Sequence, residues 1–565
     1  MKWEAFKICR NEVTNRVNMA KQNFENKVIQ DIQSNPKSFW NYVNYKTKVK
    51  TGIQGLENEN GDLVNDDTEK AEILNEHFSS VFTVEDMSSL PNIRESNTGQ
   101  SIEEVEFDQD SILNLIEKQN VSKAAGPDGV HAKVLYECKN SLSKALDIIF
   151  NKSLESGNLP SQWKDAHVKP LFKKGKKRSP KNYRPVSLTS ICSKLLEKIV
   201  RNAIVKHLES LGILTKDQHG FREGRSCNTQ LLEIMEIWTD FLEKGLCWDC
   251  IYLDFAKAFD SVPHQRLLLK VKNYGIKGKL LNWIQDFLYN RKQRVIVGKG
   301  KSSWTAVRSG IPQGSVLGPL LFVIFINDLP EEIKSQIKIF ADDTKIFRAL
   351  SQSSEITVLQ DDLNKLALWS KTWQLPFNEK KCKIIHYGKK NPNHIYQMNN
   401  ENLESVTEEK DLGVTFDREL KFRAHIRNIV SRANSRVGII KRSFETLTEE
   451  NFKILYKSQV RPILDYCSDI WYPSYIKDMS EIEKVQKRAT KLVKGFWEKT
   501  YNERLKELDL PTMEYRRNRT DMIQVFRIIK GHDNIDPNMF FELDKRGKTR
   551  GHSLKLIKQR MCTRS

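Results

Sequence analysis

Hydrophobic and polar positions divide this chain into helical, strand-like and turn-rich stretches. The first 80 residues read as basic helices, with Trp3, Phe6, Phe24, Ile29, Phe39, Trp40 and Tyr42 as expected anchors. Residues 52–67, rich in Gly, Asn and Asp, read as a loop, and residues 88–100 as a second break around Pro91. Residues 107–119 predict a helix with Ile112, Leu113, Leu115 and Ile116 on its apolar side; the cluster Gly126-Pro127-Asp128-Gly129 is a strong turn signal after it. Residues 163–189 are strand-like and basic, interrupted by Lys173-Lys174-Gly175-Lys176-Lys177-Arg178, and residues 195–208 predict a helix. Cys250-Ile251-Tyr252-Leu253 predicts a buried strand, followed by a helix starting near Ser261-Val262-Pro263 with Pro263 in its tolerant first turn. Residues 337–347 predict two short strands with Asp342 and Asp343 at the bend between them. From about residue 420 the pattern is helical to the end, without internal repeats.

Composition narrows the class. The 565 residues are enough for several domains and a large core, and 39% hydrophobic against 29% charged residues is ordinary for a globular chain. The apolar run 319–326 is far shorter than a membrane span, and Met1-Lys2-Trp3-Glu4 lacks the apolar segment of a secretory signal, so no membrane partner and no secretion are expected. Lys and Arg number 92 against 72 Asp and Glu, a net charge of +20 that points to a polyanionic partner. Residues 421–500 alone carry 17 basic against 9 acidic residues. Nine scattered cysteines suit free thiols in a reducing compartment. Cys247-Trp248-Asp249-Cys250 has no second ligand pair nearby and reads as two ordinary thiols.

Three aspartates carry the sharpest chemistry. Asp342 and Asp343 are like charges held side by side, so they call for a cation, and hard oxygen ligands suit Mg²⁺. Asp254 ends the strand 250–253, at the carboxyl end where ligands commonly sit. Three carboxylates from neighbouring strands could hold two Mg²⁺ ions for phosphoryl transfer. Asp260 reads instead as a local cap or salt-bridge partner. Ser309-Gly310-Ile311-Pro312-Gln313-Gly314-Ser315 is a loop whose glycines let backbone approach a ligand, with Gln313 as a neutral donor and acceptor. Arg184, after the lysine run, can grip phosphate bidentately.

In order along the chain stand Lys123-Ala124-Ala125-Gly126-Pro127-Asp128-Gly129, Lys173-Lys174-Gly175, Tyr183-Arg184-Pro185-Val186-Ser187-Leu188 and Gln218-His219-Gly220-Phe221-Arg222. Leu253-Asp254-Phe255-Ala256-Lys257-Ala258-Phe259-Asp260, Gly310-Ile311-Pro312-Gln313-Gly314-Ser315 and Phe340-Ala341-Asp342-Asp343 follow, then Asn378-Glu379-Lys380-Lys381 and Asp411-Leu412-Gly413-Val414. Together these blocks resemble the reverse transcriptase of non-LTR (LINE-type) retrotransposons, the jockey and chicken-repeat branches above all. The resemblance implies an α+β right-hand polymerase fold: fingers, a palm of antiparallel sheet and helices, a helical thumb and a helical N-terminal extension. It implies boundaries at 1–105 for the extension, 106–245 for fingers with the first palm elements, 246–420 for the palm with its catalytic and primer-grip-like hairpins, and 421–565 for the thumb and a basic tail.

The resemblance further implies RNA-directed DNA polymerase activity on an RNA template with a DNA primer and dNTPs, using two Mg²⁺ ions, with Mn²⁺ as a substitute. Asp254, Asp342 and Asp343 become the catalytic, metal-binding set. Phe259 matches the steric gate that excludes a ribose 2′-hydroxyl. Arg184, Gln313 and Gly314 match nucleotide contacts, and Lys381 matches a lysine placed to protonate pyrophosphate. Whether Lys173, Lys174 or Lys176 reaches the triphosphate stays open. A nuclear site of action, with a cytoplasmic particle stage, follows from the family's mechanism. The family's endonuclease domain, a ribonuclease H domain and a CCHC knuckle are expected to be absent from this sequence, whose start reads as a linker and whose end at Arg564-Ser565 is abrupt. The competing expectation is a catalytically inactive or domesticated RNA-binding relic.

Overall fold

A computed structural model describes residues 2–48, 52–93, 99–473, 475–544 and 554–557 of this chain. Cys562, Arg564 and Ser565, and residues 94–98 of the second break, lie outside the described residues. The described part is a mixed α/β structure in which two five-stranded sheets are flanked by helices.

The strands run Glu404–Ser405, Lys383–Tyr387, Trp248–Leu253, Asp343–Ala349 and Gln336–Phe340 across the central sheet. All neighbours are antiparallel except the outer pair Lys383–Tyr387 and Glu404–Ser405. Both faces of this sheet are covered. Period-two alternation sends Ile251, Leu253 and Ile346 into one core and Trp248, Cys250 and Phe347 into another. That double burial is why residues 250–253 are almost continuously apolar. The apolar run also forms as expected: every residue of the helix Gly318–Ile326 except Pro319 is buried, so it needs no polar face.

The two strands predicted around the acidic pair form a tight hairpin. Phe340 lies opposite Asp343, leaving Ala341 and Asp342 as the turn. Two-residue turns that match strand twist need a positive φ, and Ala341 takes +55° without being glycine. A second hairpin, Glu408–Asp411 with Val414–Asp417, turns through Leu412 at φ +44° and Gly413 at +93°.

The other sheet holds Tyr183–Leu188, Asp165–Phe172 and Lys292–Val297, covered by the helix Asp67–Ser79 through Leu74 and Phe78. The C-terminal region is helical as far as Ile529, led by Arg423–Ser443, Ile476–Ala489 and Met513–Ile529, but not to the end as expected: the described residues beyond are mostly turns. A π-helical turn at Tyr456–Val460 accommodates Pro462, which cannot donate a helical hydrogen bond.

Several sequence expectations need correction. Among the N-terminal anchors, Ile29, Phe39 and Tyr42 are buried, but Trp3, Phe6, Phe24 and Trp40 are exposed. The first helix, Lys2–Asp31, buries only Glu25 and Ile29. Residues 52–67 are not all loop, since Leu56–Glu57 pairs with Leu63–Val64. Pro263 caps the helix His264–Asn273 rather than entering its first turn, and a short helix Ala258–Ser261 precedes it. The eight described cysteines are free, as expected. Asp249, between two of them, is fully buried and accepts from Tyr396 Oη and Asn391 Nδ2 at 2.8 Å each, with His386 Nδ1 at 2.7 Å.

Candidate active site

The antiparallel register decides where the acids meet. Thr344 lies opposite Leu253, so one further step of the same register sets Asp254 across from Asp343. Surrounding protein, ahead of the charges of Asp342, Asp411 and Asp254, pushes the Asp343 carboxyl up to about 6, although its surface stays open to solvent. The acids therefore sense one another across two strands.

The acidic hairpin forms a ridge between two cavities. Asp254, Asp342, Arg184, Phe259, Gln313 and Gly314 line one of about 480 Å³, with Lys381 at its edge. Asp343 lines the other, of about 340 Å³, together with Lys345 and Asp411, and Asp254 and Lys381 reach both. So the eight predicted site residues meet around one ridge, but the three acids do not share a single cavity. Of the three open lysines, Lys173 lines the larger cavity, Lys174 the smaller, and Lys176 neither.

Gln313 is held at both ends. Its carbonyl accepts from Ser187 N at 2.8 Å, and a Cβ on Gly314 would sit 2.3 Å from the Ser187 carbonyl oxygen. Its side-chain Nε2 donates to Asp260 Oδ1 at 2.9 Å. Asp260 is therefore the anchor of an amide, not an ion-pair partner. An ionised carboxylate only accepts, so it fixes Gln313 with Nε2 inward and Oε1 free. Burial pushes the Asp260 carboxyl up to about 6. The loop is also joined to the segment 259–262 by Ile311 N to Phe259 O at 2.7 Å and Gly310 N to Val262 O at 2.8 Å. Phe259 stacks on Phe322 at 4.5 Å and meets the edge of Phe221 at 6.4 Å, so its ring has little freedom.

Lys381 Nζ donates to Asp254 Oδ2 at 2.7 Å. Two acids that no motif pointed to, the buried Glu197 and the half-buried Glu85, complete the support. Glu197 accepts from Val316 N at 2.6 Å and Leu317 N at 3.2 Å, holding the start of the apolar helix. Glu85 accepts from Arg266, whose guanidinium also binds the Asp86 carbonyl at 3.0 Å. This ties the N-terminal segment down beside the site, where Thr83 N donates to Ser309 Oγ at 2.7 Å and His77 and Phe78 line the larger cavity. The sequence showed residues 67–79 only as part of a basic helical stretch, and nothing in it marked His77.

Among the described residues, no three or more carboxylate, imidazole or thiol groups are gathered into a ready-made metal site. The donor chemistry nevertheless fits a hard divalent cation. The acids repel one another, and Mg²⁺ characteristically takes one or two protein carboxylates and completes its shell with water and substrate phosphates.

Residues 173–422 match the family described as Reverse transcriptase (RNA-dependent DNA polymerase). The chain is 27% identical over 477 residues to a probable RNA-directed DNA polymerase from transposon X-element of Drosophila melanogaster, covering 81% of this chain and 52% of that protein. It is 28% identical over 462 residues to a probable RNA-directed DNA polymerase from transposon BS of the same fly, covering 77% and 50%. To the RNA-directed DNA polymerase from mobile element jockey, also of that fly, it is 25% identical over 480 residues, covering 81% and 52%. The chain spans about half the length of these curated relatives.

Proposed function

We propose, from the match of residues 173–422 to the reverse transcriptase family and the likeness to transposon polymerases, that the chain is an RNA-directed DNA polymerase of a non-LTR retrotransposon. The observation that carries this reading is the convergence of Asp254 and Asp342 with Arg184, Phe259, Gln313 and Gly314 on one cavity. In the same reading the central sheet is the palm within 246–420, and 106–245 supplies the fingers. Residues 421–565 form the thumb and tail, and 1–105 the extension. Reverse transcriptases use a divalent metal; here we assign Asp254, Asp342 and Asp343 to Mg²⁺, or Mn²⁺ in its place. When bound, the two ions supply activation of the primer 3′-hydroxyl and neutralisation of triphosphate charge.

The chain's own residues do the positioning. Arg184 and Lys173 bring positive charge to the triphosphate end of the cavity. Gln313, locked by Asp260 and Ser187, presents its free amide oxygen to the incoming nucleotide. Phe259, stacked on Phe322, blocks the space a 2′-hydroxyl needs. Lys381 keeps a proton beside Asp254 that can pass to the departing pyrophosphate. The basic C-terminal helices track the primer–template duplex through its phosphates, as an A-form hybrid offers shape and backbone rather than readable edges. By the same reading the protein acts in the nucleus. No described helix is long and apolar enough to cross a membrane.

The test is extension of a DNA primer on an RNA template with dNTPs and Mg²⁺. Template-dependent extension is expected. Tight, salt-sensitive RNA binding without extension by folded protein would replace this reading with that of an RNA-binding relic.

A further inference from the structure

Apart from Phe221, which packs on Phe259, the segment Gln218-His219-Gly220-Phe221-Arg222 has no part in the chemistry above, yet it lies against the tip of the acidic hairpin. Ile339 N donates to Asp217 O and His219 N to Ile339 O, each at 2.9 Å, so residues 217–219 run beside the first hairpin strand in parallel. Gln218 is 1% exposed. Its Oε1 accepts from Gly220 N at 2.6 Å and from Ala341 N at 3.1 Å. Its Nε2 is buried without a partner. Leaving a buried donor unmade is costly, so the amide is held here by what its oxygen does.

What the oxygen does is grip the turn. Ala341 N belongs to the first of the two turn residues, and Asp342 is the second. Ala341 sits at φ +55°, a left-handed region that is unfavourable for a residue with a Cβ, so the turn needs an external hold. Gly220 allows that hold, since a Cβ there would lie 2.4 Å from Ala341 N and 3.0 Å from Phe340 C. The clamp has a firm base. Lys338, on the hairpin, donates to Asp217 Oδ1 at 3.2 Å and to Glu233 Oε2 at 2.6 Å. Arg222 forks onto Glu209 at 3.0 Å to each oxygen and donates to Thr215 O at 2.7 Å.

We propose that Gln218 is a positioning residue that sets the Ala341–Asp342 turn, and through it the direction of the Asp342 carboxylate. It touches no substrate and acts on one backbone amide. The inference rests on the polymerase reading for its kinetic arm only.

The full chain is compared with Gln218→Met, which keeps shape and loses the acceptor, and Gln218→Glu, which keeps the acceptor. Two readouts are taken: hydrogen exchange of the backbone amides across residues 336–349, and single-nucleotide incorporation on an RNA template. For Gln218→Met we expect faster exchange at the turn and a kcat lowered by about 10- to 100-fold, with the dNTP KM unchanged. Gln218→Glu should restore both towards wild type. Gly220→Ala, which drives a methyl against the Ala341 amide, should reproduce the Gln218→Met signature if that variant is too unstable to assay. Wild-type exchange and kcat in Gln218→Met, or equal damage in the Met and Glu variants, would overturn the proposal. If the wild type incorporates nothing, the polymerase reading fails, and the exchange arm still decides whether Gln218 holds the turn.

Discussion

At the scale of single residues, the chain's chemistry rests on side chains whose freedom has been removed. Phe259 is pinned between Phe322 and Phe221, so its bulk has a fixed address in the cavity. Phe259→Ala should therefore admit ribonucleotides, lowering the dNTP preference by about 10- to 200-fold in competing kcat/KM measurements. Asp260 gives a pH prediction. Burial raises its carboxyl from 3.8 to about 6, so between those values the native protein keeps a proton the unfolded chain has lost. Native stability then falls as pH rises through that window, because the unfolded state binds fewer protons. Asp260→Asn, whose Oδ1 can still accept from Gln313, should be more stable than wild type above pH 6 by of order 2 kcal/mol, with the gap closing towards pH 4 in urea titrations. The three acids stood out in sequence because they border apolar strands, whereas Phe259 was singled out only through the family resemblance. Asp260 was misread as a cap or ion-pair partner because its partner, Gln313, is brought to it only by the fold. His77 and Glu197 carried no local signal at all.

At the scale of elements, two hairpins meet through a buried ion pair. Lys345 on the acidic hairpin bonds Asp411 on the second hairpin, with side chains only 1% and 4% exposed. Removing one partner strands a buried charge. Lys345→Met or Asp411→Leu alone should destabilise the chain by about 3–5 kcal/mol in chemical denaturation, whereas the double substitution should cost much less than either sum predicts. The acidic hairpin was expected from the apolar residues flanking Asp342 and Asp343, and the second hairpin only from the family resemblance. The helical N-terminus was read correctly as helical, but four of its seven expected anchors are exposed. Helical propensity is local, whereas burial is decided by partners: Tyr42 and Phe39 are buried because Phe444 lies 5.2 and 6.3 Å away, some 400 residues further on. Near the start of the long first helix, Trp3 and Phe6 are exposed.

At the scale of the whole molecule, charge and topology make one argument. A net charge of +20, concentrated partly in residues 421–500, should make RNA binding fall steeply with salt. A slope near −0.7 per phosphate neutralised on single strands is the expected form, read from binding titrations at several salt concentrations. The N-terminal segment cannot be a detached appendage, because Thr83 bonds the loop bearing Ser309 and Arg266 binds the backbone of Asp86. That tie was invisible in sequence, where residues 88–100 read simply as a break. All of this converges on the ridge that Asp254, Asp342 and Asp343 form between two cavities. The most direct test is single-nucleotide incorporation by wild type and Asp342→Asn on the same RNA-templated primer, at matched RNA occupancy. Incorporation by the wild type, and a loss of about 10²- to 10³-fold in the variant with RNA binding unchanged, is the predicted result. Equal rates in the two proteins, or no incorporation by RNA-bound wild type, would contradict it.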